Sequence, residues 1–179
     1  MNLPNKLTML RVILIPFFVF FLLTDYVGAA GKWIALGIFA VASLTDMLDG
    51  KIARKRNLIT NFGKFMDPIA DKLLVCSALI AFVQLGLLPA WIVIILIARE
   101  FIVSGFRLVA SDSGIVLAAG WWGKFKTAFQ MIMCILLIIN LDYKAVNIIE
   151  QVLIYISLAL SVISMVDYIV RNRKVISDM

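Results

Sequence analysis

The chain has 179 residues, 63% of them hydrophobic, with a mean hydropathy of +1.03 and a formal net charge of +6. Soluble domains are closer to half apolar, so these values exclude an ordinary soluble globular protein. The sequence has no histidine, and its two cysteines, Cys76 and Cys134, lie in long apolar runs. Histidine general-base chemistry is therefore excluded, and a disulfide framework or a zinc site is not expected.

Six apolar segments are long enough to cross a membrane as helices, which takes about 20 residues each. They cover residues 8–24, 32–53, 65–86, 89–109, 124–141 and 147–169, and the breaks between them are short. No cleavage site of small residues follows the first segment, so we expect that segment to remain as a span. The sequence predicts an all-α integral membrane protein with six transmembrane helices in a single membrane-embedded catalytic domain, residues 1–179.

The basic residues are distributed unevenly between the two ends of these spans. Lys32 and Lys144 lie on one side, and the side of the N-terminus carries Lys6, Arg11, Lys51, Arg54, Lys55, Arg56, Lys64, Arg107, Lys124, Lys126, Arg171, Arg173 and Lys174. Cytoplasmic loops of membrane proteins are enriched in lysine and arginine, so both termini are predicted to be cytoplasmic. Membrane topology accounts for the positive charge, and no nucleic-acid partner is expected.

Four aspartates, Asp46, Asp49, Asp67 and Asp71, lie in or at the edge of the second and third spans. A charge at membrane depth costs about 3 kcal/mol on insertion scales, so four of them close together require a physical reason. The members of each pair are three or four residues apart, which places them on one helical face. A turn near 57–61 would make the two helices antiparallel and bring both pairs together. Four carboxylates without soft ligands suit Mg²⁺ or Mn²⁺, and their number suits two ions.

Some of these acidic residues also have a structural interpretation. Asp67 precedes a proline and could be a helix N-cap, and Asp46 could face a water-filled vestibule. Intramembrane acids also mark ion pathways, so a proton- or cation-coupled transporter is the alternative from a different class. Transport sites usually lie near the midplane on broken helices, whereas these aspartates flank a basic cytoplasmic turn. For the isolated Asp167 a structural role is the simpler interpretation.

The stretch that begins at Asp46 reads DMLDGKIARKRNLITNFGKFMDPIADK and resembles the signature of the CDP-alcohol phosphatidyltransferases. That signature is D-x-x-D-G-x-x-A-R, then eight residues, then G-x-x-x-D-x-x-x-D. The chain fills every specified position, with Asp46, Asp49, Gly50, Ala53, Arg54, Gly63, Asp67 and Asp71. So many specified residues at fixed spacing form a specific signal. The resemblance implies a six-helix, usually homodimeric membrane fold with its site near the cytoplasmic face.

The resemblance also implies roles for these positions. The four aspartates would hold two divalent metal ions, Mg²⁺ or Mn²⁺, and Asp71 would also take the proton from the attacking alcohol. The CDP-lipid would bind at Asp49 and at four other signature positions, Gly50, Ala53, Arg54 and Gly63, because small residues allow close approach and arginine bonds phosphate oxygens. In the first helix, Asn5 and Thr8 are candidates for hydrogen bonds to the nucleotide phosphates, although helix capping would account for them equally well.

Three further stretches resemble members of the family that use glycerol 3-phosphate as acceptor: residues 4–11, 98–110 and 123–130. The candidates for binding the acceptor phosphate are Arg99, Arg107, Lys124 and Lys126, of which Arg107 and Lys124 are the stronger. For Arg99 the alternative is a structural ion pair with Glu100 or Asp167, and for Lys126 it is a contact with lipid head groups. Inositol phosphate, serine and phosphatidylglycerol are the alternative acceptors.

The expected activity follows from this resemblance. The enzyme would transfer the phosphatidyl group of CDP-diacylglycerol to glycerol 3-phosphate and release phosphatidylglycerophosphate and CMP, a step of anionic phospholipid biosynthesis. It would be a homodimer among the lipids of the bacterial cytoplasmic membrane, with the active site facing the cytoplasm.

Overall fold

A computed structural model describes residues 3–55, 61–112 and 120–173, and within them the chain is all-helical. The six helices are α1 Leu3–Leu23, α2 Ala30–Lys55, α3 Asn61–Gln84, α4 Ala90–Asp112, α5 Trp121–Ile139 and α6 Lys144–Arg171. Each helix contains most of one predicted segment, so the predicted all-α, six-helix fold is confirmed.

Gly28, between α1 and α2, has a φ of 57°, and two further breaks between helices contain a residue in the same left-handed backbone conformation. Gly86, with a φ of 73°, lies in the turn between α3 and α4, where a residue without a Cβ adopts this conformation at little cost. Asn140, with a φ of 42°, ends α5, and its backbone N–H donates to the carbonyl of Leu136. Asparagine is one of the few other residues that tolerate this conformation at a helix end. Gly86 lies between two predicted segments, whereas α5 ends at Ile139, two residues before the end of the predicted segment 124–141.

The chain forms two compact units, one ending at Leu87 and the other starting at Leu88. The first unit holds α1, α2 and α3, and the second holds α4, α5 and α6. The single catalytic domain predicted above, which would comprise both units, stays a prediction.

In the first unit, α1 packs against both α2 and α3. Phe18 of α1 and Phe39 of α2 are fully buried, with ring centroids 5.6 Å apart. The same face of α1 is polar nearer the N-terminus, where Asn5, Thr8 and Arg11 are buried. The helix begins at Leu3, a few residues before the predicted apolar span 8–24, and it contains Asn5 and Thr8 as the sequence predicts.

In the second unit, α6 packs against α4 and α5. Leu96 of α4, Met133 and Leu137 of α5 and Ile154 of α6 form its apolar core. Nearer the C-terminal end of α6 the buried residues become polar and include Ser157, Ser161 and Ser164. Each unit therefore combines an apolar core with a buried polar region.

The outer surface of the helices is apolar, and many large hydrophobic side chains are exposed on it. By length and composition, three stretches of the described helices can cross a membrane: Asn5–Leu23, Trp121–Ile139 and Lys144–Arg171. A surface of this kind is stable when lipid covers it. The protein is accordingly an integral membrane protein, and the crossing of the bilayer by α2, α3 and α4 stays a prediction.

Candidate active site

The positions of the signature lie on two helices of the first unit. Asp46, Asp49, Gly50, Ala53 and Arg54 fall in the last part of α2, and Gly63, Asp67 and Asp71 fall in the first half of α3. The side chains of residues 46–65 and of Asp67 lie outside the described residues. For these positions the structure supplies only a helical backbone, which agrees with the spacing argument.

Asp71 is the one signature aspartate whose side chain is described. It is exposed, whereas the adjacent Ala70 is fully buried and Leu74 is almost so. The carboxylate therefore lies outside the packed core of the first unit, where a ligand can reach it. The described side chains contain no group of three carboxylate, cysteine or histidine residues arranged to hold a metal. The predicted ion site depends on Asp46, Asp49 and Asp67, whose side chains are not among them.

The polar start of α1 lies beside the α2 segment that leads into the signature. Arg11 is fully buried, and its Nε donates a hydrogen bond of 3.2 Å to the carbonyl of Ala42. Ala42 precedes Asp46 by four residues, about one helical turn. Asn5 and Thr8, at 7% and 0% exposure, share the buried face with Arg11. From the sequence, Arg11 was interpreted only as one of the cytoplasmic charges. Its three-residue spacing from Thr8 was the available signal that both side chains lie on the same face of the helix.

In the second unit, two predicted phosphate-binding residues share one carboxylate. Oε1 of Glu100 accepts a hydrogen bond of 3.0 Å from Nη1 of Arg99 and also pairs with Nζ of Lys126. Nε of Arg99 donates to Oγ of Ser164 at 3.2 Å. Arg99 is 8% and Lys126 3% exposed, and buried charges of this kind need a partner. The ion pair considered for Arg99 therefore exists, and Lys126 lies in the protein interior.

A cavity of about 280 Å³ lies next to this cluster, within the second unit. We call it the arginine cavity. Three arginines and one aspartate are its charged lining residues among those described, and the full lining is Arg99, Val103, Arg107, Gly120, Trp121, Gly123, Ser164, Asp167, Tyr168, Arg171 and Asn172. The structure thus brings together Arg99 and Arg107 from the predicted set. Lys126 lies behind the lining, and Lys124 places its Nζ 4.7 Å from the ring centroid of Trp121.

The C-terminal part of α6 supplies much of the cavity that the sequence did not indicate. Nε of Arg171 donates to Oδ1 of Asp167 at 2.7 Å. Tyr168 is 5% exposed, and its ring lies 5.7 Å from the guanidinium carbon of Arg107. The four-residue spacing of Asp167 and Arg171 was the available signal, because it predicts an ion pair on one helical face.

The N-terminus of α5 also faces the arginine cavity. Gly120 is the N-cap of this helix, and among the described residues no side chain caps it through a hydrogen bond. The first backbone N–H groups of a helix lack partners within the helix and carry a partial positive charge, which favours an anion. Gly120, Trp121 and Gly123 all line the cavity. Three guanidinium groups and a helix N-terminus make this cavity suited to a phosphate.

Residues 1–163 match the CDP-alcohol phosphatidyltransferase family, and the chain belongs to that family. It is therefore an enzyme, a transferase embedded in the membrane. Similar curated proteins share most of its length. It is 44% identical to the CDP-diacylglycerol–glycerol-3-phosphate 3-phosphatidyltransferase of Bacillus subtilis, over 96% of this chain and 95% of that one.

Two further relatives carry names of the same meaning. A probable phosphatidylglycerophosphate synthase of Mycobacterium tuberculosis is 40% identical over 95% of this chain and 81% of its own length. The CDP-diacylglycerol–glycerol-3-phosphate 3-phosphatidyltransferase of Haemophilus influenzae is 40% identical over 94% and 91%. The family resemblance of the signature is thereby confirmed.

Proposed function

We propose that this protein transfers the phosphatidyl group of CDP-diacylglycerol to glycerol 3-phosphate, which yields phosphatidylglycerophosphate and CMP. The observation that carries the proposal is the arginine cavity, which offers cations to a small phosphorylated acceptor. The names of the relatives from Bacillus subtilis and Haemophilus influenzae support the same pair of substrates.

The bond changes of this reaction define what the protein must provide. A hydroxyl oxygen of glycerol 3-phosphate forms a bond to the phosphorus that carries diacylglycerol, and the diphosphate P–O bond to CMP breaks. The hydroxyl proton passes to the carboxylate of Asp71, whose exposed position on α3 leaves it accessible to an incoming alcohol. Proton transfer to a positioned carboxylate contributes about 100- to 10,000-fold to such reactions.

The remaining signature residues would bind the donor. Asp46, Asp49, Asp67 and Asp71 offer only hard oxygen ligands, which fit two ions of Mg²⁺ or Mn²⁺. Bound ions of this kind neutralise the charge of the diphosphate and of the leaving group. Arg54 would bond the phosphate oxygens, and Gly50, Ala53 and Gly63 would allow the nucleotide to lie close to the helices. Asn5 and Thr8 are buried in the first unit, so their predicted hydrogen bonds to the nucleotide phosphates stay a prediction from the resemblance.

The size and charge of the arginine cavity distinguish among acceptors. Its volume of about 280 Å³ is near the lower end of the range for ligand sites, which suits a three-carbon acceptor better than phosphatidylglycerol. A serine acceptor would add only a single carboxylate to the Glu100 and Asp167 partners that Arg99 and Arg171 already have. A phosphate monoester accepts two or more charge-assisted hydrogen bonds from arginine. Lys126 does not line the cavity and would contribute through the positive charge of its cluster with Arg99 and Glu100. Lys124 would contribute from the edge of the cavity.

The place of the enzyme in the cell follows from its charge distribution. Arg107, Lys124 and Arg171 lie at helix ends that the positive-inside rule assigns to the cytoplasm. We infer a homodimer in the bacterial cytoplasmic membrane, with the active site facing the cytoplasm and lipid covering the exposed apolar side chains.

Purified protein in detergent, supplied with CDP-diacylglycerol and Mg²⁺ or Mn²⁺, tests the proposal through the release of CMP. We expect release with glycerol 3-phosphate and far less with serine, inositol phosphate or phosphatidylglycerol. EDTA should abolish it, and added Mg²⁺ or Mn²⁺ should restore it. Full activity in exhaustively chelated protein would contradict the metal site, and a preference for an acceptor without phosphate would contradict the role of the arginine cavity.

A further inference from the structure

The negative charge of Asp167 would be unfavourable in a cavity that binds only a phosphate. Asp167 lines the arginine cavity, where its negative charge opposes that of a phosphate. Its Oδ1 accepts a hydrogen bond from Arg171, and its side chain is 22% exposed. Among the described residues, Oδ2 takes part in no hydrogen bond. One carboxylate oxygen is therefore oriented by an arginine, and the other is available to a ligand.

Gly120, at the start of α5, lies close to Oδ2 of Asp167. A Cβ atom at Gly120 would lie 3.3 Å from Oδ2 of Asp167, which is already a tight contact. Gly120 has a φ of −67°, so its backbone conformation does not require glycine. An alanine at this position would therefore press its methyl group against Oδ2 without straining the backbone.

Two of the three arginines that line the cavity lie on a different helix from Asp167. Arg99 extends from α4, and its Nη2 would be 3.6 Å from a Cβ at Gly123, near the start of α5. Arg107 follows two turns later on α4 and lies against the ring of Tyr168. Hence α4 and the α5 N-terminus present only positive charge to the described part of the cavity, whereas α6 presents Arg171 together with the one carboxylate of the described lining.

Glycerol 3-phosphate has three polar groups: the phosphate, the hydroxyl that attacks, and a second hydroxyl that does not react. The phosphate requires donors, and a hydroxyl that donates a hydrogen bond requires an acceptor. We infer that Asp167 determines acceptor specificity, with Oδ2 accepting a hydrogen bond from the non-reacting secondary hydroxyl while Arg171 orients the carboxylate. This inference rests on the proposed function and adds to it the group that recognises the polyol.

The simpler possibility is that Asp167 and Arg171 form a helix-surface ion pair with no contact to substrate. The two roles differ in their dependence on the secondary hydroxyl. A test therefore compares glycerol 3-phosphate with 3-hydroxypropyl phosphate, which keeps the phosphate and the primary hydroxyl but lacks the secondary one. The quantity measured is the ratio of kcat/KM for the two acceptors, from CMP release at saturating CDP-diacylglycerol.

The wild-type protein should prefer glycerol 3-phosphate by about 10- to 100-fold, as expected for a hydrogen bond to a charged group. Asp167→Ala should bring the ratio close to one by lowering kcat/KM for glycerol 3-phosphate alone. Gly120→Ala, which keeps the carboxylate and its ion pair, should also lower the ratio because the added methyl group covers Oδ2. The matched control is Asp142→Ala, an exposed aspartate just before the other end of α6, which should leave the ratio unchanged.

An equal loss of activity toward both acceptors in Asp167→Ala would show a structural role and overturn the inference, as would a wild-type ratio near one. If Asp167→Ala does not fold, the ratio in Gly120→Ala decides: an unchanged ratio would overturn the inference, and a lowered one would support it. Wild-type protein that releases no CMP with glycerol 3-phosphate would instead contradict the proposed function itself.

Discussion

The two units of the protein differ in how far apart their candidate functional residues lie along the sequence. In the first unit the signature runs from Asp46 to Asp71, and spacing along two consecutive helices reveals it. In the second unit the arginine cavity draws on three helices, and the hydrogen bond from Arg99 to Ser164 joins residues 65 positions apart. Local spacing reveals a site when its residues follow one another, but a site assembled from distant helices requires the tertiary structure.

This difference suggests a division of work between the units. The first unit would hold the donor and the ions and perform proton transfer, and the second would select and bind the acceptor. Variants in the first unit should then reduce turnover, whereas variants in the cavity should alter acceptor KM or the stability of the second unit.

Asp71→Asn should have the largest effect, because it removes the proton acceptor. We expect kcat to fall by about 100- to 10,000-fold. Equilibrium binding of CDP-diacylglycerol should change much less, since three signature aspartates remain. The matched control is Asp25→Asn, at an exposed position between α1 and α2. Near-normal CMP release by Asp71→Asn would show that the signature is not the active site.

Glu100→Ala tests the buried charge cluster of the second unit. The substitution leaves Arg99 and Lys126 buried beside one another without the shared carboxylate, so unfolding in detergent should require about 3 kcal/mol less free energy. Glu150→Gln is the comparison, because Oε1 of the buried Glu150 has no hydrogen-bond partner among the described residues. That variant should be neutral or slightly stabilising. Equal stability of the Glu100→Ala and wild-type proteins would contradict the cluster.

Arg107→Ala should raise the KM for glycerol 3-phosphate by about tenfold or more, with little change in the KM for CDP-diacylglycerol. The sequence predicts the same for Lys124→Ala, but Lys124 does not line the cavity and its Nζ lies over the ring of Trp121, which favours a smaller effect. Arg173→Ala, an exposed position beyond α6, serves as the control. Loss of donor affinity in Arg107→Ala would instead assign this side chain to the diphosphate.

The helices were predictable because their periodicity and apolar length are local properties. The burial of Asn5, Thr8 and Arg11 at the start of α1 was not predictable, since it depends on packing against other helices. For a related reason, the sequence could not reveal that Asp167 lines the arginine cavity. An ion pair with Arg171 could be inferred from spacing, but not its position near Gly120, which lies 47 residues earlier.

The central claim is the transfer of a phosphatidyl group to glycerol 3-phosphate, and identification of the lipid product tests it most directly. Purified protein with CDP-diacylglycerol, isotopically labelled glycerol 3-phosphate and Mg²⁺ would be analysed by mass spectrometry of the extracted lipids. We expect labelled phosphatidylglycerophosphate in amounts equal to the CMP released. Release of CMP without label in the lipid, or a lipid product formed only with an unphosphorylated alcohol, would contradict it.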